Sequence, residues 1–194
     1  FEQFDLLNLL KVLQNLNKSP FFLSNLNAES YEKCLLIIQL DYICYMILFP
    51  PAKINLGLNI LHKRSDNFHA LETCMLTIAL TDVLEILPAE EFTFSHSGIK
   101  INGSSENNLV VQAYHLIKLK YKIGNVAIHL QKNVPMGAGL GGGSADATYT
   151  LIGLNKMFDL GLSTDKLKEL ASDLGSDCAF FVEDSAQIGT GRGE

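Results

Sequence analysis

The sequence predicts an α+β domain of mostly antiparallel strands, and three observations carry that prediction. Segments that alternate apolar with polar residues crowd the middle of the chain, separated by connections short enough for antiparallel pairing. Helix-patterned segments dominate the part that follows. Between an alternating strand and the helix pattern that begins near residue 147 lies a run of glycines. Strands first and helices later is the α+β order, not the regular strand-helix alternation of a doubly wound sheet.

Composition sets the outer limits. With 194 residues and 47% apolar content, the chain can build one domain with a substantial core. A net charge of −6 argues against nucleic acid as the main partner, so an anionic ligand must be held by local geometry. Cys34, Cys44, Cys74 and Cys178 show no C-x-x-C spacing and no paired His. Neither a zinc site nor a redox motif follows, and reduced thiols in a cytoplasmic protein are the expectation.

Residues 1–45 read as an extension unrelated to the rest, with residues 46–194 as the domain proper. Leu6, Leu9, Leu10, Leu13 and Leu16 fall on one face of a helix pattern. Residues 35–49 are strongly apolar but include Gln39 and Asp41, and they fall short of the roughly 20 residues a spanning helix needs. No basic segment precedes them and no small-residue cleavage site follows, so neither a secretory signal nor a membrane partner is expected. Met46 stands where the texture changes.

From there each element has its own reason. Residues 52–61 alternate Ile54, Leu56, Leu58 and Ile60 with Lys53, Asn55, Gly57 and Asn59, which predicts a strand half-buried on its apolar side. Residues 62–70 are polar and turn-like. Strands are expected over 71–80, 82–87 and 92–95. Asn107 or Asn108 can cap a helix over 109–120 that turns Leu109, Ala113, Leu116 and Ile117 inward. A strand over 126–130 leads into the glycines, and the helix beyond them turns Ala147, Leu151, Leu154 and Phe158 to the core. Ser163 or Thr164 caps a further helix striped by Leu167, Leu170, Ala171 and Leu174, with Gly175 placed to close it in the left-handed conformation. An apolar strand over 179–182 is expected after the turn at Ser176-Asp177.

The glycine stretch is the chemical centre: Pro135-Met136-Gly137-Ala138-Gly139-Leu140-Gly141-Gly142-Gly143-Ser144-Ala145-Asp146-Ala147. A glycine-rich loop that opens a helix bares backbone N–H groups and aims the positive helix end at whatever docks there, which makes a phosphate cradle. It is not a Walker A loop, because no Lys-Ser or Lys-Thr follows the glycines. Gly137, Gly139 and Gly142 satisfy the dinucleotide spacing. The strand before them alternates, however, instead of reading as the continuous apolar run of a buried parallel strand, and a second helix follows where a strand should. Ser144 at the helix start can cap the helix while offering its hydroxyl to phosphate or to Mg²⁺.

The pattern P-x-x-x-G-L-G-G-G-S-A-D-A resembles the phosphate loop of the GHMP small-molecule kinases. Pro51-Ala52-Lys53-Ile54-Asn55-Leu56-Gly57-Leu58 is similar to that family's first motif. Arg64-Ser65-Asp66-Asn67-Phe68-His69, followed by Leu71-Glu72-Thr73, is similar to a stretch of one branch, which acts on a cytidine-diphosphate-linked methylerythritol. Gly175-Ser176-Asp177-Cys178-Ala179-Phe180-Phe181 and Gly189-Thr190-Gly191-Arg192-Gly193-Glu194 resemble two further segments in the right order.

The resemblance implies the family's N-terminal domain, with the fold of ribosomal protein S5 domain 2 and without the C-terminal domain. It implies ATP as phosphoryl donor, with Mg²⁺, held by Pro135, Met136, Gly137, Ala138, Gly139, Leu140, Gly141, Gly142, Gly143, Ser144 and Ala145. It implies Asp177 as proton acceptor, with Lys53 orienting it and stabilising charge, and a substrate contacted by Asn55, Phe68 and His69. The reaction implied is phosphorylation of the 2-hydroxyl of 4-diphosphocytidyl-2-C-methyl-D-erythritol in the non-mevalonate route to isoprenoids. Phe68 stands where that branch has Tyr, which keeps the stacking ring and loses the hydroxyl. Asn67 replaces its usual Gly, and Ala179 its common Pro. Two alternatives stay open: another GHMP kinase with a different alcohol substrate, and an ATP-binding fragment without turnover.

Overall fold

The computed structural model of the chain describes residues 46–63, 69–101, 103–183 and 185–191, so the expectations for residues 1–45 lie outside the described residues. Among the described residues, seven strands form two sheets. β1 (Met46–Leu48), β4 (Val83–Ala89), β6 (Asn125–Lys132) and β5 (Thr93–Gly98) lie in the order β1-β4-β6-β5. β2 (Pro51–Lys63), β3 (His69–Thr81) and β7 (Gln187–Gly191) form the second sheet, with β3 central. β1 and β7 escape the sequence pattern because three and five residues are too few to display an alternation.

Among the described residues, all pairings are antiparallel except one. β5 runs parallel to β6, from Thr93 against Ala127 to Gly98 against Lys132. Residues 99–124 connect them through α1 (Leu109–Tyr121), and parallel neighbours need a crossover of that length. Besides the long return from β6 to β7, the chain passes between the sheets through two short links, Phe49-Pro50 and Asp82. These are tied together by the Asp82 N–H donating to the Pro50 carbonyl at 2.9 Å.

The main core forms where α1 and α2 (Gly142–Met157) pack together over the first sheet. Leu84 and Ile86 of β4 and Val126, Ile128 and Leu130 of β6 point into it at period two. Val110, Ala113, Tyr114 and Ile117 come from α1, and Ala147, Leu151 and Leu154 from α2. Each fully buried aliphatic side chain contributes roughly 1.5–3 kcal/mol relative to exposure. The Asn108 side chain caps α1 by accepting from the Val110 N–H at 2.9 Å. Ser163 caps α3 (Thr164–Ser172) through Lys166.

Three local expectations are corrected. Residues 179–182 form a 3-10 turn, not a strand. Neighbours Phe180 and Phe181 are both buried there, and a strand would have sent them to opposite faces. Gly175 is not left-handed, since α3 ends at Ser172 with Asp173 in the right-handed region. What favours glycine at 175 is space: a Cβ would lie 3.3 Å from Cys178 Sγ.

The third correction concerns β2. Only Pro51, Ala52 and Lys53 are buried, while Leu56, Leu58 and Ile60 are 54%, 54% and 64% exposed. The apolar side expected to face a core therefore looks outward, and Lys53, expected on the open side, is enclosed. A register shift between Leu56 and Leu58, with Gly57 at φ 75°, also interrupts the alternation.

Candidate active site

The loop between β6 and α2 is built by backbone conformation. Gly137, Gly139 and Gly141 have φ of 71°, 74° and 68°, which side-chain-bearing residues rarely adopt. Gly141 is the residue before the first turn of α2, and no side chain caps that end. Ser144, expected to cap, sits inside the first turn instead, so the helix keeps its N-terminal donors and partial positive charge for a ligand. A cleft of about 350 Å³ opens over the loop. It is lined by the loop, by Ile101, Ser104, Asn107, Asn108 and Leu109 on one side, and by Lys132 and Asp146 beneath.

On the other flank stands the expected pair. Lys53 Nζ lies 3.4 Å from Asp177 Oδ2, with the lysine side chain 8% exposed and the aspartate 34%. Lys53 also donates to Asn55 Oδ1 at 2.6 Å, Asn55 Nδ2 to Thr73 Oγ1 at 2.8 Å, and Thr73 to the Gly57 carbonyl at 2.7 Å. This relay fixes the ammonium beside the carboxylate. The backbone joins pair and loop directly, because the Lys53 N–H donates to the Leu140 carbonyl at 2.8 Å. A Cβ on Gly141 would come within 2.9 Å of Phe181 Cζ and 3.0 Å of Lys53 Cγ, so glycine is required there for close approach as well as for φ. Phe180, Phe181, Met75 and Ala145 form the small apolar cluster behind the pair.

Lys53, Asn55, Asp177, Ser144 and the loop are thus brought together. Phe68 lies outside the described residues, and of His69 only the backbone is described, paired in β3 with Lys63 of β2. Burial pushes the neighbouring Cys178 thiol pKa up, with hydrogen bonds to Ser144 and Thr148 opposing.

A second cluster was not anticipated. Lys132 Nζ lies 2.5 Å from Asp82 Oδ2 and 2.7 Å from Asp146 Oδ2, and all three residues are buried. The Asp82 Oδ1 accepts the N–H groups of Asn133 and Val134 at 2.6 and 2.8 Å. Burial raises the Asp146 pKa to about 7, against the lowering influence of Lys132. Its Oδ1 is buried without a hydrogen-bond partner. A signal for Lys132 existed: it continues the inward phase of Val126, Ile128 and Leu130, a position where an unpaired lysine would be costly.

Comparison with known proteins follows the same lines. Residues 108–184 match the family model described as GHMP kinases N terminal domain. A 4-diphosphocytidyl-2-C-methyl-D-erythritol kinase of Cytophaga hutchinsonii is 48% identical over 149 residues, covering 77% of this chain and 55% of that protein. The enzyme of the same name from Bacteroides fragilis is 49% identical over 152 residues, covering 76% and 56%. A crystal structure of 4-(cytidine 5'-diphospho)-2C-methyl-D-erythritol kinase superposes with a TM-score of 0.67 at 34% identity, over 77% of this chain and 53% of that one. Mevalonate kinase of Methanococcus jannaschii, with a TM-score of 0.59 at 15% identity over 77% and 54%, shares the fold. The chain spans about half the length of the curated relatives it matches.

Proposed function

The described residues form a GHMP kinase N-terminal domain, and from that premise we propose that the protein transfers the γ-phosphoryl group of ATP to the 2-hydroxyl of 4-diphosphocytidyl-2-C-methyl-D-erythritol. The observation that carries the reading is the Lys53–Asp177 pair held against the glycine loop by the Lys53 N–H to Leu140 carbonyl bond. Relatives that are 44–49% identical bear that substrate's name, which supports this acceptor over another alcohol.

Phosphoryl transfer is chiefly positioning and charge stabilisation. The loop 135–145 holds the donor phosphates on backbone N–H groups and the start of α2. Asp177, open enough to meet a substrate, takes the hydroxyl proton as the oxygen bonds to phosphorus and the bond to the ADP oxygen breaks. Lys53 orients Asp177 and offsets the negative charge that accumulates between acceptor and γ-phosphate. Asn55 faces the acceptor beside Lys53, and Phe68 and His69 hold its cytosine. Among the described residues no group of three or more His, Cys, Asp or Glu could hold a metal. An Mg²⁺ carried on the nucleotide's phosphates would take the Ser144 hydroxyl as its protein contact and would neutralise phosphate charge.

Replacement of Asp177 by Asn tests the assignment. With ATP, Mg²⁺ and the cytidine-diphosphate substrate, ADP release should fall by about 10²–10⁴-fold while ATP binding persists. Unchanged release would remove Asp177 from the chemistry. A second reading, ATP binding without turnover, draws on the chain's spanning about half its relatives' length. ATP binding with no substrate-dependent ADP release from the unaltered chain would select it.

A further inference from the structure

We propose that Lys132, bridging Asp82 and Asp146, is a positioning residue that clamps both stems of the glycine loop and so sets the loop's affinity for nucleotide phosphates. This rests on the reading of the loop as an ATP site.

The argument is one of connectivity. The loop leaves β6 through Asn133 and Val134, whose N–H groups both donate to Asp82 Oδ1. It re-enters regular structure in the first turns of α2, where Asp146 receives Lys132 Nζ at 2.7 Å. The other oxygen of Asp82 receives the same ammonium. One buried chain of carboxylate, ammonium and carboxylate therefore joins entry stem to exit stem, while residues 135–139 between them are exposed. Gly142 shows how closely the clamp fits: a Cβ there would lie 3.0 Å from Lys132 Nζ and 2.9 Å from Val134 Cγ1. The ammonium sits directly beneath the helix start.

Stability alone is a poor reason for such a cluster, because well-packed apolar residues often replace buried ion pairs without loss. Apolar side chains could not receive two backbone N–H groups and also reach a helix turn from a single point. A loop with both stems fixed meets the phosphates already ordered, and less conformational freedom is lost on binding.

The test measures ATP binding and steady-state kinetics on folded protein for Lys132→Met and Asp146→Ala, with Ile117→Ala as a control. Ile117 is fully buried in α1 and lines neither the cleft nor the loop. Asp146→Ala leaves Lys132 paired with Asp82, so it reports even if Lys132→Met does not fold. The expected result is a rise of about tenfold or more in the Kd and KM for ATP in both clamp variants, with kcat and the acceptor KM little changed. Ile117→Ala should bind ATP like the unaltered protein despite a lowered Tm. Clamp variants that bind ATP as tightly as the control would overturn the inference. An unaltered chain that binds no ATP would instead overturn the reading of the loop, and the inference with it.

Discussion

Two lysines flank the glycine loop, and their surroundings differ in one respect above all, access to water. Lys53 faces Asp177, whose carboxylate is 34% exposed, and its other partner is the neutral amide of Asn55. Lys132 faces two carboxylates that are 0% and 3% exposed, and every atom of the cluster but Asp146 Oδ1 is satisfied within the protein. An open pair can meet an incoming molecule, whereas a pair buried this deeply is placed to hold geometry. On the proposed reading, the same residue types on either side of one loop divide chemistry from support, and exposure makes the division.

The largest effects should come from exchanging either lysine for methionine. Lys132→Met strands two buried carboxylates and should cost about 3–5 kcal/mol in denaturant unfolding. Lys53→Met leaves a partly exposed aspartate that water can solvate, so it should cost about 1 kcal/mol or less while removing turnover. Equal stability losses would erase the distinction between the clusters.

Next in size is a pH effect confined to the sealed side. The folded-state pKa of Asp146 is about 7, above its ordinary 3.8, because burial disfavours the charged form. The folded protein therefore binds that proton more tightly than the unfolded chain does. Its contribution is fully present below about pH 4 and is lost as pH rises toward 7, on the order of a few kcal/mol. Asp146→Asn should remove that part of the slope when unfolding is followed from pH 4 to 7. A slope unchanged by the substitution would show that Asp146 is already ionised in the fold.

The smallest effects separate two adjacent glycines. Gly142→Ala pushes a methyl into Val134 and the Lys132 ammonium and should cost about 1–3 kcal/mol in thermal unfolding. A Cβ on Gly143 meets nothing within 4 Å, and its φ is not in the left-handed region. Gly143→Ala should thus be neutral or stabilising by about 0.4–1 kcal/mol. If it also weakens ATP binding, Gly143 is glycine for the ligand's sake and Gly142 for the clamp's.

Much of this was legible in the residues. The alternation over 126–130, a cap at Asn107 or Asn108 (it falls to Asn108) and the stripe of Ala147, Leu151 and Leu154 are local patterns, and the fold keeps them. The glycine stretch announced a loop opening a helix, and the motif resemblance put Lys53 and Asp177 in one site, where they stand 3.4 Å apart. The failures share a cause. Leu56, Leu58 and Ile60 alternate as a core strand should, yet nothing among the described residues covers them. Phe180 and Phe181 read as strand until both were required on one side.

By itself the sequence determined what depends on neighbours along the chain: where the main strands and helices run, and that a phosphate-loop motif stands between strand and helix. Tertiary structure decided which faces meet. The register between β4 and β6, which sets Val83 opposite Gln131, the passage of the chain from one sheet to the other at Asp82, and the packing of α2 together bring Asp82, Lys132 and Asp146 to one buried point. Periodicity says which side a residue takes but not what lies opposite. A charge is tolerable in the interior only when its partner arrives from elsewhere in the chain.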